Sequence, residues 1–310
     1  MELAVVPVPG PGAEDVVVAT DGPDEGAVFT GTEDGSIFRV SHDGRRVDRV
    51  AHTRGRPLGI ELDRDGRLLV CDARRGLLRV DPRTGGVEAV LDSVGGARMV
   101  FCNNAAVADD GTVWFSDSST RFGIDRWKDD FVQATRTGRL LRLDPDGRVS
   151  VVLDGLEFAN GVALAADGSF VAVAETGGRD VVRHWLTGER AGRRDHLVAD
   201  LPGYPDNIAR GSDGLVWVSI ASPTDPVVER IKRGPVVLRR QVTRIPERVQ
   251  PKPRRTVRVQ AFDDAGRLVH DLDLPRTPDP GYHMVTGVRE HDGRVWLGSL
   301  HEPAVAVLDL

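Results

Sequence analysis

The chain has 310 residues, of which 40% are hydrophobic and 28% are charged, and its formal net charge is −6 at pH 7. This composition is typical of a soluble globular protein and argues against a disordered chain. The acidic balance gives no reason to expect a nucleic acid partner. No apolar run approaches the ~20 residues of a membrane-spanning helix, and the N-terminal residues lack the basic and apolar regions of a signal peptide. We therefore expect a cytoplasmic protein without a membrane span.

Six Asp-Gly pairs divide the chain into repeats. In chain order they are Asp21-Gly22, Asp65-Gly66, Asp110-Gly111, Asp167-Gly168, Asp213-Gly214 and Asp292-Gly293, at spacings of 44, 45, 57, 46 and 79 residues. Short apolar runs flank these pairs, and Asp-Gly between such runs is the strongest short signal for a β-hairpin. A period of about 45 residues, with about four strands per unit, is typical of propeller blades. The spacing predicts an all-β fold, a six-bladed β-propeller.

The two ends of the sequence and the two long spacings complete this prediction. The runs 3–6 and 304–308 could supply strands to one blade, which would close the ring and remove open sheet edges. We expect one domain over residues 1–310. The long spacings hold insertions at about 119–137 and 222–255, and the second is rich in arginine and partly helical in pattern. We expect both to cap one face of the propeller, with a solvated surface excursion as the alternative.

One position in each repeat, seven residues before the turn aspartate, carries an oxygen-bearing side chain in four repeats. The six residues are Glu14, Leu58, Asn103, Asn160, Asp206 and Val285. The first strand of a blade lines the central channel, so we expect these residues to form a ring around the axis. Carboxylate and amide oxygens without sulfur or imidazole are the ligand set of a hard cation. The pattern predicts a Ca²⁺ site formed by Glu14, Asn103, Asn160 and Asp206, with Asn207 as a further oxygen donor.

A purely structural role is the alternative for these polar residues. Asn and Asp are common before strands, where they satisfy backbone groups. The identical spacing in four repeats favours the metal site, because buried carboxylates and amides are costly to leave without a partner.

Five segments at or near these positions are together specific enough to compare with known families: Phe101–Asn104, Trp114–Ser119, Phe158–Val162, Val173–Thr176 and Gly203–Ile208. Together they resemble the strictosidine synthase-like proteins, which are grouped with the gluconolactonases (the senescence-marker-protein family), the paraoxonases and the diisopropylfluorophosphatases. The resemblance covers nearly the whole chain. It implies a six-bladed propeller and a catalytic calcium held by Glu, Asn, Asn and Asp, which correspond here to Glu14, Asn103, Asn160 and Asp206. Asn207 resembles the Asn beside that Asp in paraoxonases.

The sequence also departs from these families at functional positions. Plant strictosidine synthases catalyse a metal-free condensation that depends on a glutamate near the last blade, where this chain has His283. Paraoxonases carry a catalytic histidine at the start of the second blade, where this chain has Leu58. Many relatives have Asp where this chain has Asn104. The resemblance therefore argues against the condensation and does not imply a paraoxonase-type histidine pair.

These observations predict a calcium-dependent hydrolase, of lactonase or arylesterase type, that acts on a small-molecule ester, lactone or phosphotriester. The cation would act as a Lewis acid on the substrate oxygen. Asp206 is the first candidate for general base or nucleophile. His283 is the second candidate, because a histidine titrates near neutral pH; a loop histidine bonded to the backbone is the alternative.

Four aromatic residues are candidates for substrate binding. Tyr204 and Tyr282 flank the candidate catalytic residues, and Phe122 and Trp127 lie in the first insertion. They could wall an apolar pocket, and ordinary packing would explain them equally well. Two other functions stay open: a biosynthetic cyclase, isomerase or condensing enzyme that uses the same pocket, and a non-catalytic binding module. The sequence does not indicate the oligomeric state.

Overall fold

The structure is a computed structural model, and it describes residues 2–245, 253–274 and 281–310. Six four-stranded antiparallel sheets dominate this part of the chain. The first strands of successive blades contact one another around a closed ring. The predicted six-bladed β-propeller is therefore confirmed, and the ring of first strands surrounds the central channel.

The blades follow one another along the chain, and their strands have the following bounds. Blade 1 consists of β2 (Val16–Val18), β3 (Val28–Gly31), β4 (Ser36–Val40) and β5 (Val47–His52). Blade 2 consists of β6 (Pro57–Leu62), β7 (Leu68–Asp72), β8 (Gly76–Val80) and β9 (Val87–Leu91). A small hairpin, β10 (Ser93–Val94) and β11 (Ala97–Arg98), follows. Blade 3 consists of β12 (Cys102–Val107), β13 (Val113–Asp117), β14 (Gly138–Leu143) and β15 (Val149–Leu156).

The second half repeats this order. Blade 4 consists of β16 (Ala159–Leu164), β17 (Phe170–Glu175), β18 (Asp180–Trp185) and β19 (Arg194–Val198). Blade 5 consists of β20 (Gly203–Arg210), β21 (Val216–Pro223), β22 (Val257–Phe262) and β23 (Leu268–Leu274). Blade 6 consists of β24 (Val285–His291), β25 (Arg294–Ser299), β26 (Ala304–Asp309) and β1 (Ala4–Pro7).

Blade 6 joins strands from the two ends of the sequence. β1 pairs antiparallel with β26, with Ala4 opposite Val307 and Pro7 opposite Ala304. This pairing confirms the predicted closure, and it leaves β1 as the outer strand of a sheet whose inner strand, β24, lines the channel. The ring is thus closed by hydrogen bonds between segments about as far apart in sequence as the chain allows.

The hydrophobic core lies between neighbouring blades. The second strands β7 and β13 are buried at every position, because each blade covers both faces of its neighbours' inner strands and an apolar run satisfies both sides. The outer strand β9 is exposed or half-buried throughout. Burial of each large apolar side chain contributes about 1.5–3 kcal/mol, so the inner strands carry most of the packing energy.

The Asp-Gly pairs lie between the first and second strands, as predicted. In blade 2 the turn spans Asp63 to Arg67, with Gly66 at φ +72°. In blade 6 the turn is shorter: His291 pairs directly with Arg294, and Asp292 itself has φ +50°. Positive φ at both central residues is the signature of a two-residue hairpin turn. The turn that follows the channel strand is therefore shorter in blade 6 than in blade 2.

The two insertions contain the α-helices of the described residues. They are α1 (Trp127–Gln133), α2 (Pro226–Lys232) and α3 (Val236–Val242). The three helices contact one another, so both insertions meet over one face, as expected for a cap; residues 246–252 of the second insertion lie outside the described part. No helix within the described ranges is long and apolar enough to cross a membrane.

Candidate metal and substrate site

A cavity of about 150 Å³ lies at one mouth of the channel. Its wall includes all four predicted metal ligands, Glu14, Asn103, Asn160 and Asp206. They come from four different blades: Asn103, Asn160 and Asp206 belong to the channel strands of theirs, and Glu14 lies two residues before β2. The propeller therefore brings together side chains that are up to 192 positions apart in the sequence.

Each of these four side chains has a buried oxygen without a hydrogen-bond partner among the described residues. These atoms are Glu14 Oε2, Asn103 Oδ1, Asn160 Oδ1 and Asp206 Oδ1. Leaving one such polar atom buried and unpaired costs about 1–3 kcal/mol. Four of them at one cavity indicate that a bound group supplies the missing partner, and oxygen-only donors suit a hard cation.

Hydroxyl groups fix the orientation of the two amides. Asn103 donates its Nδ2 hydrogen to Ser118 Oγ at 2.8 Å, and Asn160 donates to Thr176 Oγ1 at 3.2 Å. With the nitrogen of each amide engaged, its oxygen is the atom left without a partner. Both hydroxyls therefore favour the orientation in which Asn103 and Asn160 present oxygen.

Burial strongly perturbs the two carboxylates. Desolvation, with a further contribution from the Asp15 carboxylate, raises the pKa of Asp206 to about 8. Desolvation also raises the pKa of Glu14 well above its usual range, Arg56 opposes this shift, and the Asp206 and Asp15 carboxylates add to it. Neighbouring buried carboxylates resist ionisation unless a positive charge is present. The site is thus electrostatically prepared for a cation.

The sixth ring position is Thr286, and the sequence prediction of Val285 was wrong. A bulge separates Pro57 from Ile60 in β6, and an equivalent bulge separates Val285 from Val288 in β24. Val285 therefore corresponds to Pro57, and Thr286 corresponds to Leu58. The shorter turn of blade 6 accounts for the offset of one residue.

The two ring positions that offer no metal ligand differ in chemistry. Thr286 is fully buried and donates its hydroxyl hydrogen to the Glu14 carbonyl at 2.8 Å. Leu58 packs in an apolar cluster with Phe101 and Phe158, against which Trp127 also packs. The ring therefore has a polar side, formed by the four oxygen-bearing side chains, and an apolar side next to Leu58.

The next layer of the channel alternates polar residues with glycines. Asp15, Asn104 and Asn207 follow three ring positions, and the other three ring positions are followed by Gly59, Gly161 and Gly287. A Cβ at Gly59 would lie 2.6 Å from the Asn103 carbonyl oxygen, and one at Gly287 would lie 2.7 Å from the Glu14 carbonyl oxygen. The glycines thus let adjacent blades approach closely enough to form the ring.

Asn104 links three blades within this layer. Its Nδ2 donates to Asp15 at 3.1 Å, and its Oδ1 accepts from the Val162 backbone N–H at 2.9 Å. Asp15 also accepts from the Ile60 N–H at 3.0 Å. Asn207 is buried, and neither of its amide atoms has a hydrogen-bond partner within the described part of the chain. It therefore stays available as the predicted fifth ligand, although it is not part of the cavity wall.

Bulky side chains stand two residues before four of the ring positions, and all four line the cavity: Phe101, Phe158, Tyr204 and Met284. The rings of Phe101 and Phe158 meet edge-on at 5.4 Å. Their constant offset of two residues from the ring positions could have revealed this second ring in the sequence. Sequence analysis identified only Tyr204 among them. An apolar ring thus stands next to the polar one.

The helical insertions complete the cavity wall. Trp127 and Phe131 of α1, Val228 and Ile231 of α2 and Val242 of α3 line it. Phe131 also contacts the Tyr204 ring edge-on at 4.9 Å. The three helices therefore form a largely apolar lid. Trp127 and Tyr204, two of the four aromatic residues predicted to wall the pocket, do line it.

A buried lysine fastens this lid to the propeller. Lys232 Nζ lies 2.9 Å from the Glu157 carboxylate and 4.8 Å from the Phe131 ring centroid, and it donates to the Gly177 carbonyl. Tyr204 donates to Glu229 of α2 at 3.0 Å and accepts from the Asp225 N–H. Burial raises the pKa of Tyr204, so its hydroxyl keeps its proton and serves as a lid contact.

Besides Asn207, three predicted site residues lie outside the cavity wall. His283 binds the Glu302 carboxylate through Nδ1, and only its neighbour Met284 reaches the cavity. Tyr282 is buried and donates to the Leu297 carbonyl at 2.9 Å. Phe122 lies beneath the guanidinium groups of two arginines, Arg121 and Arg126. The catalytic role of His283 and the substrate contacts of Tyr282 and Phe122 stay predictions that the cavity geometry does not support.

Fold and site together define a propeller with a carboxylate–amide centre under an apolar lid, and the comparisons with known proteins agree with this class. A family model described as strictosidine synthase matches residues 103–189. The adipocyte plasma membrane-associated protein of Salmo salar is 32% identical over 308 residues, covering 91% of this chain and 73% of that protein. A strictosidine synthase-like protein of Arabidopsis thaliana is 32% identical over 272 residues, covering 84% and 71%. The chain therefore belongs to the strictosidine synthase-like family.

Solved structures share the fold at lower identity. A gluconolactonase from Xanthomonas campestris superposes with a TM-score of 0.71 at 18% identity, covering 99% of this chain and 89% of that one. Regucalcin from Agrobacterium tumefaciens, a calcium-binding protein, superposes with a TM-score of 0.65 at 14% identity, covering 98% and 92%. At these identities the likeness establishes the fold alone.

Proposed function

We propose that the protein is a calcium-dependent hydrolase of small apolar esters or lactones. The observation that carries the proposal is the set of four buried, unpartnered oxygens at one end of an apolar cavity. A binding module has no need of such an open donor set. The gluconolactonase and regucalcin that share the fold are consistent with this activity and this ion, as their names state.

The donor set fits calcium better than other common cations. It contains two carboxylates and two amide oxygens, with a third amide, Asn207, adjacent. No group of three or more His, Cys, Asp or Glu side chains in the described ranges is arranged to bind a metal, so a site for a softer ion would lack ligands. Calcium accepts carboxylates and neutral oxygens together and has coordination positions to spare for water and substrate.

The cavity wall determines the kind of substrate. Phe101, Phe158, Trp127 and Phe131 are aromatic, and the helices of the lid add aliphatic side chains. Such a wall offers few hydrogen bonds to a sugar-like substrate. An apolar substrate would gain about 25 cal/mol of binding free energy for each Å² of its apolar surface that the wall buries. We therefore expect an ester or lactone with an aryl or alkyl group, whose carbonyl oxygen points towards the ring of polar residues.

The residues of the chain would divide the chemistry between them. Glu14, Asn103 and Asn160 would hold the ion, which as a Lewis acid stabilises negative charge on the substrate oxygen. Asp206 would complete the ligand set, and as a carboxylate in the cavity wall it would also orient the attacking water and accept its proton. The lid would exclude bulk water, which strengthens every charge interaction within the cavity.

Hydrolysis of phenyl acetate and of an alkyl-substituted lactone, with calcium and with a chelator, tests this proposal. Activity should disappear with the chelator and return with calcium. Asp206→Asn should lower kcat by at least about 100-fold, whereas Asp200→Asn, at a side chain that is 94% exposed, should leave it unchanged. Full activity in the chelator, or in Asp206→Asn, would refute the proposal.

Calcium titration by calorimetry tests the ligands separately from catalysis. Asn160→Ala removes a donor oxygen and should weaken binding by at least about tenfold. Thr176→Val removes only the hydroxyl that orients Asn160, so it should weaken binding by less. Equal affinity in all three proteins would show that Asn160 is not a ligand.

A further inference from the structure

The outer surface of helices α2 and α3 combines exposed aliphatic side chains with unpaired arginines. Of the eleven large hydrophobic side chains that are exposed in the described residues, four lie here, between positions 227 and 238. Val237 is 71% exposed and Val227 is 58% exposed. We define this lid surface by the residues Val227, Val236, Val237, Leu238, Arg230, Arg233, Arg240 and Arg244. Val236, Val237 and Leu238 are consecutive, and clustered exposed apolar residues mark interaction sites.

The charge of the lid surface is opposite to that of the chain. Residues 222–245 contain six basic and two acidic residues, whereas the chain as a whole carries −6. Lys232 and Arg239 are engaged inwards, with Glu157 and the Gln133 carbonyl. The side chains of Arg230, Arg233, Arg240 and Arg244 make no ion pair within the described part of the chain. Their positive charge is therefore directed outwards and is available to an anionic partner.

We infer that this surface docks the protein on an anionic lipid bilayer, which goes beyond the proposed hydrolase activity and does not depend on it. Helices that lie in a membrane interface combine apolar side chains with a polar face rich in Lys and Arg, and the lid surface combines aliphatic side chains with arginines. Each basic residue near an anionic bilayer contributes about 1 kcal/mol of attraction. The aliphatic side chains would enter the acyl boundary while the guanidinium groups bind lipid phosphates and carboxylates.

Other occupants fit the surface less well. A symmetric contact with a second copy would place the four arginines of one protomer against those of the other, and the like charges would repel. Protein interfaces are enriched in Tyr, Trp, Phe, Met and Arg, and of these five residue types the lid surface as defined contains only arginine. The inner sides of the same helices line the cavity through Val228, Ile231 and Val242, so docking would place the lid of the cavity next to the lipid.

Vesicle flotation with the full chain tests the inference. Large unilamellar vesicles of phosphatidylcholine alone would be compared with vesicles containing about 30% phosphatidylserine, in about 50 mM and about 500 mM salt. We expect binding at least about tenfold tighter to the anionic vesicles, lost at high salt. Val237→Ser with Leu238→Ser should weaken it about tenfold. The matched control, Leu268→Ser with Val269→Ser, changes two exposed apolar residues of β23 and should have no effect.

A charge variant provides a second, independent measurement. Arg240→Gln with Arg244→Gln should weaken binding to anionic vesicles about 25-fold, as two lost interactions of about fivefold each, without changing the thermal midpoint. Equal binding to both kinds of vesicle, no binding to either, or equal losses in the control pair would overturn the inference. So would self-association of the wild-type chain, seen by light scattering, that Val237→Ser with Leu238→Ser abolishes, since it would assign the surface to a second copy.

Discussion

Removal of calcium should make the stability of the protein depend on pH in a direction that the site dictates. In the ion-free protein burial raises the pKa of Asp206 from 3.8 to about 8. Between these values the folded state keeps a proton that the unfolded state has released, so stability falls as pH rises. From pH 5.5 to 8 the loss accrues at about 1.4 kcal/mol per unit, or about 3 kcal/mol. Because Asp206 is not fully shielded from solvent, we expect about half of this.

A loss of about 1.5 kcal/mol is about 2 °C in thermal midpoint for a chain of 310 residues. The assay is thermal unfolding between pH 5.5 and 8.5, in a chelator and in saturating calcium. The fall should appear only in the chelator, since the ion binds the deprotonated carboxylates and stabilises them in the folded state. Asp206→Asn should make the chelator curve less steep, and the exposed control Asp200→Asn should not; part of the slope should remain, because burial also raises the pKa of Glu14. A flat wild-type curve in chelator, or an unchanged slope in Asp206→Asn, would refute the electrostatic argument.

Two further predictions concern the packing around the site. Gly161→Ala should destabilise the fold by about 3 kcal/mol or more in urea unfolding, because the new Cβ would collide with the Ile208 backbone nitrogen. The control Gly86→Ala, whose Cβ would meet only a threonine hydroxyl at 3.3 Å, should cost less than about 1 kcal/mol. Similar costs at the two positions would contradict the prediction. Lys232→Met leaves the Glu157 carboxylate paired only with Arg136, whose side chain is largely exposed, at a cost of about 1.5–3 kcal/mol for the lost charged hydrogen bond, and should speed hydrogen exchange in residues 226–245. Exchange as slow as in the exposed control Arg233→Met would show that the lysine does not fasten the lid.

The sequence predicted the fold, and it predicted that Glu14, Asn103, Asn160 and Asp206 meet at one place, because both depend on a local, repeated signal. Asp-Gly pairs specify tight turns through backbone conformation alone, and counting from them locates equivalent positions in every blade. The count failed where the local chemistry differed. The two-residue turn at Asp292 shortened blade 6 by one residue, so Thr286 and not Val285 occupies the ring.

The remaining parts of the site depend on tertiary contacts that spacing does not reveal. Phe101 and Phe158 directly precede β12 and β16 in the sequence, where an apolar residue usually belongs to the core. That they line a cavity depends on how the blades close into a ring. The hydroxyls of Ser118 and Thr176 approach the amides from neighbouring strands. His283 was predicted from a resemblance in sequence position, but its imidazole binds Glu302. The lid was predicted from loop length, whereas the Lys232 contact that fastens it joins residues 75 positions apart.

The closure of blade 6 also sets the order in which the site can form. Glu14 is translated before the other three ligands, yet its carbonyl is held by Thr286 and the carbonyl of Ala13 accepts from the Ser299 N–H at 2.7 Å. Both contacts come from the blade that is translated last and that β1 must complete. A nascent chain could assemble blades 2 to 5 with three ligands in place, but the fourth would wait for the ring to shut. Acquisition of calcium would therefore mark the end of folding, and an ion added early should find only a partial site.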